Sequence, residues 1–504
     1  MLRKPLVTSL LLAMAVHAQA GGLAVQEPLG GQPAPGSQRS VADFDYQVKY
    51  QRAFEAVLWS LPLVQVQGGR MATLGGLDMR DNDIVAMSGT ATPKFETWTA
   101  NSSTPYVFAY SDLKNEPVVL EVPPAGPDGS LYGQVVDAWQ MTIADIGPSG
   151  IDAGKGGRLL LTGPDYNGPI PAGYLHAASP TRRVVFAFRS VRAPGKSGAD
   201  AYAYSKRLKM YNLSQAANPP RQRFVDPTEQ RYSSLLPQDE RYFQLLHDTI
   251  TYEPVRPQDR HMLGLLASLG IERGKPYQPD EKTRKAMRQA VVDAWYYLQE
   301  RFDHLPRDKY YWTDRQYVPL LLPDANRSFS FEYPDRVDVD GRALAFFWCT
   351  LVPKRVPERP AAYYLLAMAD KQGRALEAGR TYKVTVPADM PVRQFWALTL
   401  YDRATMAFIY TRENRTTLDS YGLERMKKNA DGSVTLYVGP QAPQGLESNW
   451  IPSGGKRPLP AFRFYGATDE LFDKRFKMPD FEPVDEQTAS TSKAGLAMGS
   501  LLLP

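Results

Sequence analysis

Twice along this chain the hydrophobic period is that of a β-strand, and between the two blocks it is that of a helix. That switch limits the fold more than any other feature. From residue 95 onward, β-rich runs fall at 118–123, 131–139, 157–162 and 183–188, separated by breakers such as Pro123-Pro124, Gly163-Pro164 and Gly168-Pro169. Short strands at such spacing predict an antiparallel sandwich or barrel rather than an α/β sheet. A second set follows at 343–352, 361–368, 381–386, 394–401, 434–438 and 461–465. Asn429-Ala-Asp-Gly432 makes a turn into a strand in which Val434, Leu436 and Val438 alternate with Thr435 and Tyr437, as one buried face requires.

Between the blocks, residues 199–305 carry helical spacing. Met287, Val291, Ala294, Leu298 and Phe302 share one face of a helix that Asp280 would cap after Pro279. A shorter helix at 263–271 ends on Gly270, a C′ glycine. Ahead of the first block, Tyr50, Phe54, Val57, Leu58 and Leu61 predict a helix from Phe44 that ends near Pro62. The expected architecture is mainly β with a helical bridge: a β domain with a leading helix at 43–198, the bridge at 199–306 and a second β domain at 307–484. No fixed-period repeat is visible.

The ends read differently. Arg3 and Lys4 precede an apolar stretch at 6–16 and a small-x-small site, Ala18-Gln19-Ala20, which predicts a signal peptide (1–20) cleaved after Ala20 and export to a periplasm. The stretch is short of the ~20 apolar residues that span a bilayer, and no cysteine lies nearby for a lipid anchor. Residues 21–42 and 485–504 have the composition of a flexible leader and a disordered tail. No later segment is apolar enough for a membrane span.

Without the leader, the 59 basic side chains less Arg3 and Lys4 leave 57 against 54 acidic ones. This balance, with no basic run, argues against a nucleic-acid partner. The lone Cys349 excludes an internal disulfide and is expected as a small apolar residue in a buried strand.

A search for chemistry returns little. His176, His247, His261 and His304 show no metal-ligand spacing, and HExxH, CxxC and GxSxG are absent, so no metal and no cofactor is expected. The run 147–156 lacks the Lys-Ser/Thr pair of a phosphate loop. The segment 338–341 has Arg336 where a calcium loop needs its first acid, which leaves a turn.

Long motifs nonetheless stand out. Residues 97–123 (TWTANSSTPYVFAYSDLKNEPVVLEVP), with 132–137 and 157–164, resemble the domain of unknown function numbered 1254. Residues 391–402 (PVRQFWALTLYD), Asn414-Arg415, 429–437, Asn449-Trp-Ile-Pro452 and Arg463-Phe-Tyr465 resemble its usual C-terminal companion, numbered 1214. The resemblance covers roughly 45–484 and implies two jelly-roll-like antiparallel β-sandwich domains bridged by helices, in a family without an established biochemical role. The family's Asn-x-Asp-Thr-x-Tyr motif has Ser103 here in place of the acid.

These motifs supply the candidate ligand-binding residues: Trp396, Tyr401, Asp402, Asn414, Arg415, Asn449, Trp450, Arg463 and Tyr465, with Asn101, Thr104, Tyr106 and Asp137 from the N-terminal block. In the strand at 394–401, Trp396, Leu398 and Leu400 share one face, while Phe395, Thr399 and Tyr401 share the other. Arg463 and Tyr465 likewise oppose Phe462 and Phe464.

A guanidinium fork among rings suits a carbohydrate or a small polar or acidic ligand. The competing reading puts Trp396 and Trp450 in the core, pairs Arg463 with Asp402, and has Asn101 and Thr104 ordering a turn. Asp137, an acid amid apolar residues, needs a partner, for which Arg183 and Arg189 are candidates. The chain is therefore expected to bind a small-molecule or carbohydrate ligand in a β-sandwich concavity. A metal-independent hydrolase or lyase using carboxylate, Tyr and Arg groups, and a structural envelope protein, are the alternatives, and edge strands allow a homo-oligomer.

Overall fold

The computed structural model describes residues 33–34, 36–193 and 195–484; the expected signal peptide, most of the leader and the tail lie outside them. Residues 45–484 form one compact unit.

The first strand block makes a sandwich. Its six-stranded sheet runs Phe224–Val225, Ile84–Ala86, Tyr106–Asp112, Arg183–Val191, Ser130–Asp137, Thr142–Ile146 in spatial order. The facing sheet runs Lys209–Asn212, Val118–Val122, Gly157–Thr162, Leu175–Ala178. Val107, Ala109, Phe186 and Phe188 pack inward with Val118, Leu120, Leu159 and Leu161. Strand alternation then sends Tyr106, Phe108, Tyr110, Val185, Ala187 and Arg189 to the outer face.

The second block makes another sandwich, with sheets Tyr317–Pro319, Ala362–Ala367, Pro458–Ala467, Val392–Asp402, Thr417–Asp419 and Trp450–Pro452, Val434–Gly439, Tyr382–Val386, Glu482–Pro483. Trp396, Leu398, Leu400, Phe462 and Phe464 fill its core with Val384 and Leu436. Tyr364, Arg463, Tyr465 and Tyr401 face outward, as the alternation predicts.

Several expectations change. Strand and helix hold 26% and 25% of the described residues, so mainly β is true only in outline. Most pairings are antiparallel, but Leu159 to Thr162 pair parallel with Leu175 to Ala178, and Tyr437 to Gly439 with Trp450 to Pro452. The leading helix does not end at Pro62 but runs Phe44–Gly76 through it. Its middle, residues 56–67, is buried all round, and neighbours hold an interrupted helix that could not persist alone. Gln140 donates to the Pro62 carbonyl at 3.0 Å.

The expected strand at 343–352 is in part a helix, Val339–Phe347, capped by Asp338, whose side chain accepts from the Gly341 amide at 2.9 Å. An unbroken apolar run carries no period that separates a buried helix from a buried strand. Cys349 therefore sits just past a helix. It is buried, its Sγ donates to the Ala345 carbonyl at 2.9 Å, and burial pushes the thiol up to about 12.

The bridge is only partly helical, since Lys209–Asn212 and Phe224–Val225 return to the first sandwich. Its main helix, Glu281–Asp303, begins as expected with Asp280 accepting from Thr283 N at 2.7 Å. Its buried face joins a large apolar cluster with the leading helix and the outer face of the second sandwich. Among the described residues, no helix is long and apolar enough to cross a membrane.

Candidate functional site

Between the outer faces of the six- and five-stranded sheets, closed by the leading helix, lies a cavity of about 340 Å³. Phe95, Phe108, Tyr110, Tyr232 and Trp98 give it an aromatic lining, and Gly69 of the leading helix admits the Tyr110 ring, whose hydroxyl would lie 2.6 Å from any Cβ there. Two guanidinium groups line it, Arg189 from the first sandwich and Arg463 from the second.

Arg463 stands mid-sheet, directly opposite Tyr364 on one neighbouring strand and Ala397 on the other. It is 1% exposed. One nitrogen donates to the Thr99 and Ala100 carbonyls at 3.0 Å each and to the Tyr401 hydroxyl, while its Nε is buried without a partner. Its guanidinium lies 4.5 Å from the centre of the Tyr364 ring. Arg189 donates to the Tyr364 hydroxyl at 3.2 Å. Among the described residues no carboxylate bonds either arginine.

Tyr364 thus lies between two cations. Burial pushes its phenol up, but the charges of Arg189 and Arg463, with hydrogen bonds from Arg189 and Tyr465, outweigh burial and carry it below the ordinary tyrosine value. Tyr401 goes the other way, up to about 12, because burial outweighs Arg463. An uncompensated guanidinium in a low-dielectric site costs several kcal/mol unless an anion answers it.

The loop 99–104 ties the two sandwiches at this point. Tyr401 donates to the Ala100 carbonyl at 2.6 Å, Tyr465 to Asn101 Oδ1 at 3.2 Å, and Ser102 and Thr417 share a hydroxyl bond of 2.6 Å. Within the loop, Asn101 donates from Nδ2 to Thr104 Oγ1 at 2.7 Å and from its amide to the Tyr106 hydroxyl at 2.7 Å. Thr99 holds φ of 41°, an outlying value for a β-branched residue. Ser103 Oγ, buried beside Tyr465, meets no partner at hydrogen-bonding geometry.

Six of the thirteen sequence candidates therefore converge: Asn101, Thr104, Tyr106, Tyr401, Arg463 and Tyr465. The rest do not. Trp396 packs in the second core, and Trp450, also buried, donates to the Gly439 carbonyl at 3.0 Å. Asp402 accepts from Ala404 N at 3.0 Å and does not pair with Arg463. Asn414 is exposed in a left-handed turn, φ 50°. Arg415 bonds the Glu447 and Trp450 carbonyls, and Asn449 staples Lys427 to Thr435. The Arg183 and Arg189 partnership expected for Asp137 is replaced by the amides of Trp139 and Met141, at 2.8 and 2.9 Å. Burial pushes that carboxyl up to about 6, against those amides and Arg256.

Sequence reasoning missed Tyr364 and gave Arg189 a different task. Alternation along 361–368 and 183–191 could have placed both on the outer faces; only folding shows that the two faces meet. No group of three or more metal-ligating side chains occurs among the described residues.

Comparison with known proteins agrees with this layout. Residues 82–212 match the family described as Protein of unknown function (DUF1254), and residues 361–469 the one described as Protein of unknown function (DUF1214). The two matches lie in that order, N-terminal then C-terminal. No curated protein matches. The crystal structure of the VPA0106 protein from Vibrio parahaemolyticus shares the fold, with a TM-score of 0.50 and 19% identity over 87% of this chain and 100% of that one. A putative uncharacterized protein from Burkholderia cenocepacia aligns over 88% and 96% at 13% identity and a TM-score of 0.38.

Proposed function

We propose that the protein binds a small organic anion, a carboxylate on an apolar or aromatic body, in the cavity shared by the two sandwiches. One observation carries this: Arg189 and Arg463 line an aromatic cavity and no carboxylate of the described residues bonds them. A bound carboxylate would supply the missing charge and accept the fork's free N–H groups, while the rings would cover its body. A sugar would answer the rings but not the charge. The two sandwiches, jelly-roll-like in this reading, hold the arginines rigidly from opposite sides. The leader sequence supports export and cleavage after Ala20, which N-terminal sequencing of the periplasmic fraction would test.

The binding test is isothermal titration with benzoate, benzamide and glucose. Benzoate binds, the neutral pair does not, and Arg189→Met weakens benzoate about 30-fold or more, the usual cost of truncating a buried charge contact. Equal binding of benzamide would remove the basis of the proposal.

A catalytic role has one observation in its favour. Tyr364, held below its usual value between two arginines, is a phenol placed to exchange a proton with a bound acid. Turnover lost in Tyr364→Phe with benzoate affinity kept would establish it, and unchanged turnover would exclude it.

A further inference from the structure

A second cavity, of about 360 Å³, adjoins the first. Gln65 and Trp98 line both. Val57, Leu61, Leu236, Trp295 and Met406 are typical of its wall, and no Asp, Glu, Lys, Arg or His contributes to it. The partition has one fixed half and one looser half. Gln65 is held at both ends, donating to the Phe346 carbonyl and accepting from Gln140, each at 2.6 Å. Trp98 is half-buried, makes no side-chain hydrogen bond among the described residues, and precedes the outlying Thr99. Val292 and Tyr296, 37% and 62% exposed, line the second cavity as well and bring it to the surface.

A charged end and an uncharged apolar end on either side of one indole divide the space as an amphipathic molecule is divided. Resting on the anion reading above, we infer that the ligand is a straight-chain monocarboxylate. Its head lies against Arg189 and Arg463, and its alkyl tail passes Trp98 into the second cavity. The first cavity sets charge and the second sets length. Apolar burial then makes affinity grow with each methylene that reaches past Trp98, about fourfold per group.

The test is calorimetric titration of the protein with acetate, hexanoate and dodecanoate. Dodecanoate binds far more tightly than hexanoate. Val292→Glu, which sets a carboxylate in the tail's path, collapses the ratio of the two affinities toward one. Tyr296→Glu, at a position on the surface, repeats the test without disturbing the core. Acetate and hexanoate bound with dodecanoate no tighter would overturn the tail assignment while leaving the anion reading in place. A ratio unmoved by both variants would do the same. Failure of all three acids to bind would defeat the anion reading and this inference with it.

Discussion

Two pairs of arginines lie against the second sandwich, Arg403 with Arg457 and its own Arg463 with Arg189 of the first, and they differ in what answers their charge. Arg403 and Arg457 both bond Asp303 at the end of the main bridge helix, at distances from 2.8 to 3.1 Å. Burial pushes the Asp303 carboxyl up, but the two guanidinium groups outweigh it and hold it below the usual range. That cluster is closed: cations and anion belong to the same chain, and none of the three lines either cavity described above. Arg189 and Arg463 have a phenol, carbonyls and an open space instead. The first arrangement clamps a helix to a sheet. The second leaves a charge for something else to meet, and the difference separates an architectural arginine from one placed for a ligand.

The comparison can be broken at either side. Asp303→Ala strands the buried Arg403 and should lower unfolding stability by about 3–5 kcal/mol in urea, with benzoate affinity unchanged. A loss below about 1 kcal/mol would make the clamp ornamental.

Glu253 is the converse case, a carboxyl 4% exposed that accepts from the amides of Arg182 and Arg183 at 2.6 and 3.1 Å. Burial, only partly offset by those amides and Arg183, pushes it up to about 7. It therefore holds its proton more tightly folded than unfolded, so its contribution is greatest below about pH 4.5 and is lost as pH rises through about 7. Over that window the loss approaches 3 kcal/mol in order of magnitude. Glu253→Gln should flatten this stretch of the stability–pH curve, and an unchanged slope would show that another group sets it.

Arg189→Met should separate the two kinds of arginine most cleanly. It removes one hydrogen bond to Tyr364 together with an unanswered charge, so unfolding stability should hold or rise, while benzoate affinity falls by about 2 kcal/mol or more. A large fall in stability would class Arg189 with Arg403. The smallest effect is expected from Ser103→Asp. An acid beside Tyr465 would serve as a built-in counter-ion, weakening benzoate by a few fold and leaving the unfolding midpoint nearly unchanged. Tighter benzoate binding in that variant would contradict the assigned charge of the pocket.

Much of this was legible beforehand, for a reason visible in particular residues. Where a strand has one core face, alternation fixes both faces at once, so Phe462 and Phe464 inward placed Arg463 and Tyr465 outward. The same logic placed Tyr401 opposite Trp396. The long apolar run at 343–352 defeated it, because helix and strand bury such a run equally well. Pro62 defeated the boundary of the leading helix, because tertiary packing overrode a local breaker. Asp137 had its partners two and four residues away in its own turn, where a cross-strand arginine had been expected. The pairing of Arg189 with Tyr364, 175 residues apart, carries no local signal at all.

The most direct test is a crystal structure of the protein soaked with bromobenzoate, read by the anomalous signal of the halogen. The account predicts a carboxylate bonded to both Arg189 and Arg463, with the bromine directed toward Trp98. Bromobenzoate bound elsewhere while the arginine pair stays without an anion would contradict it.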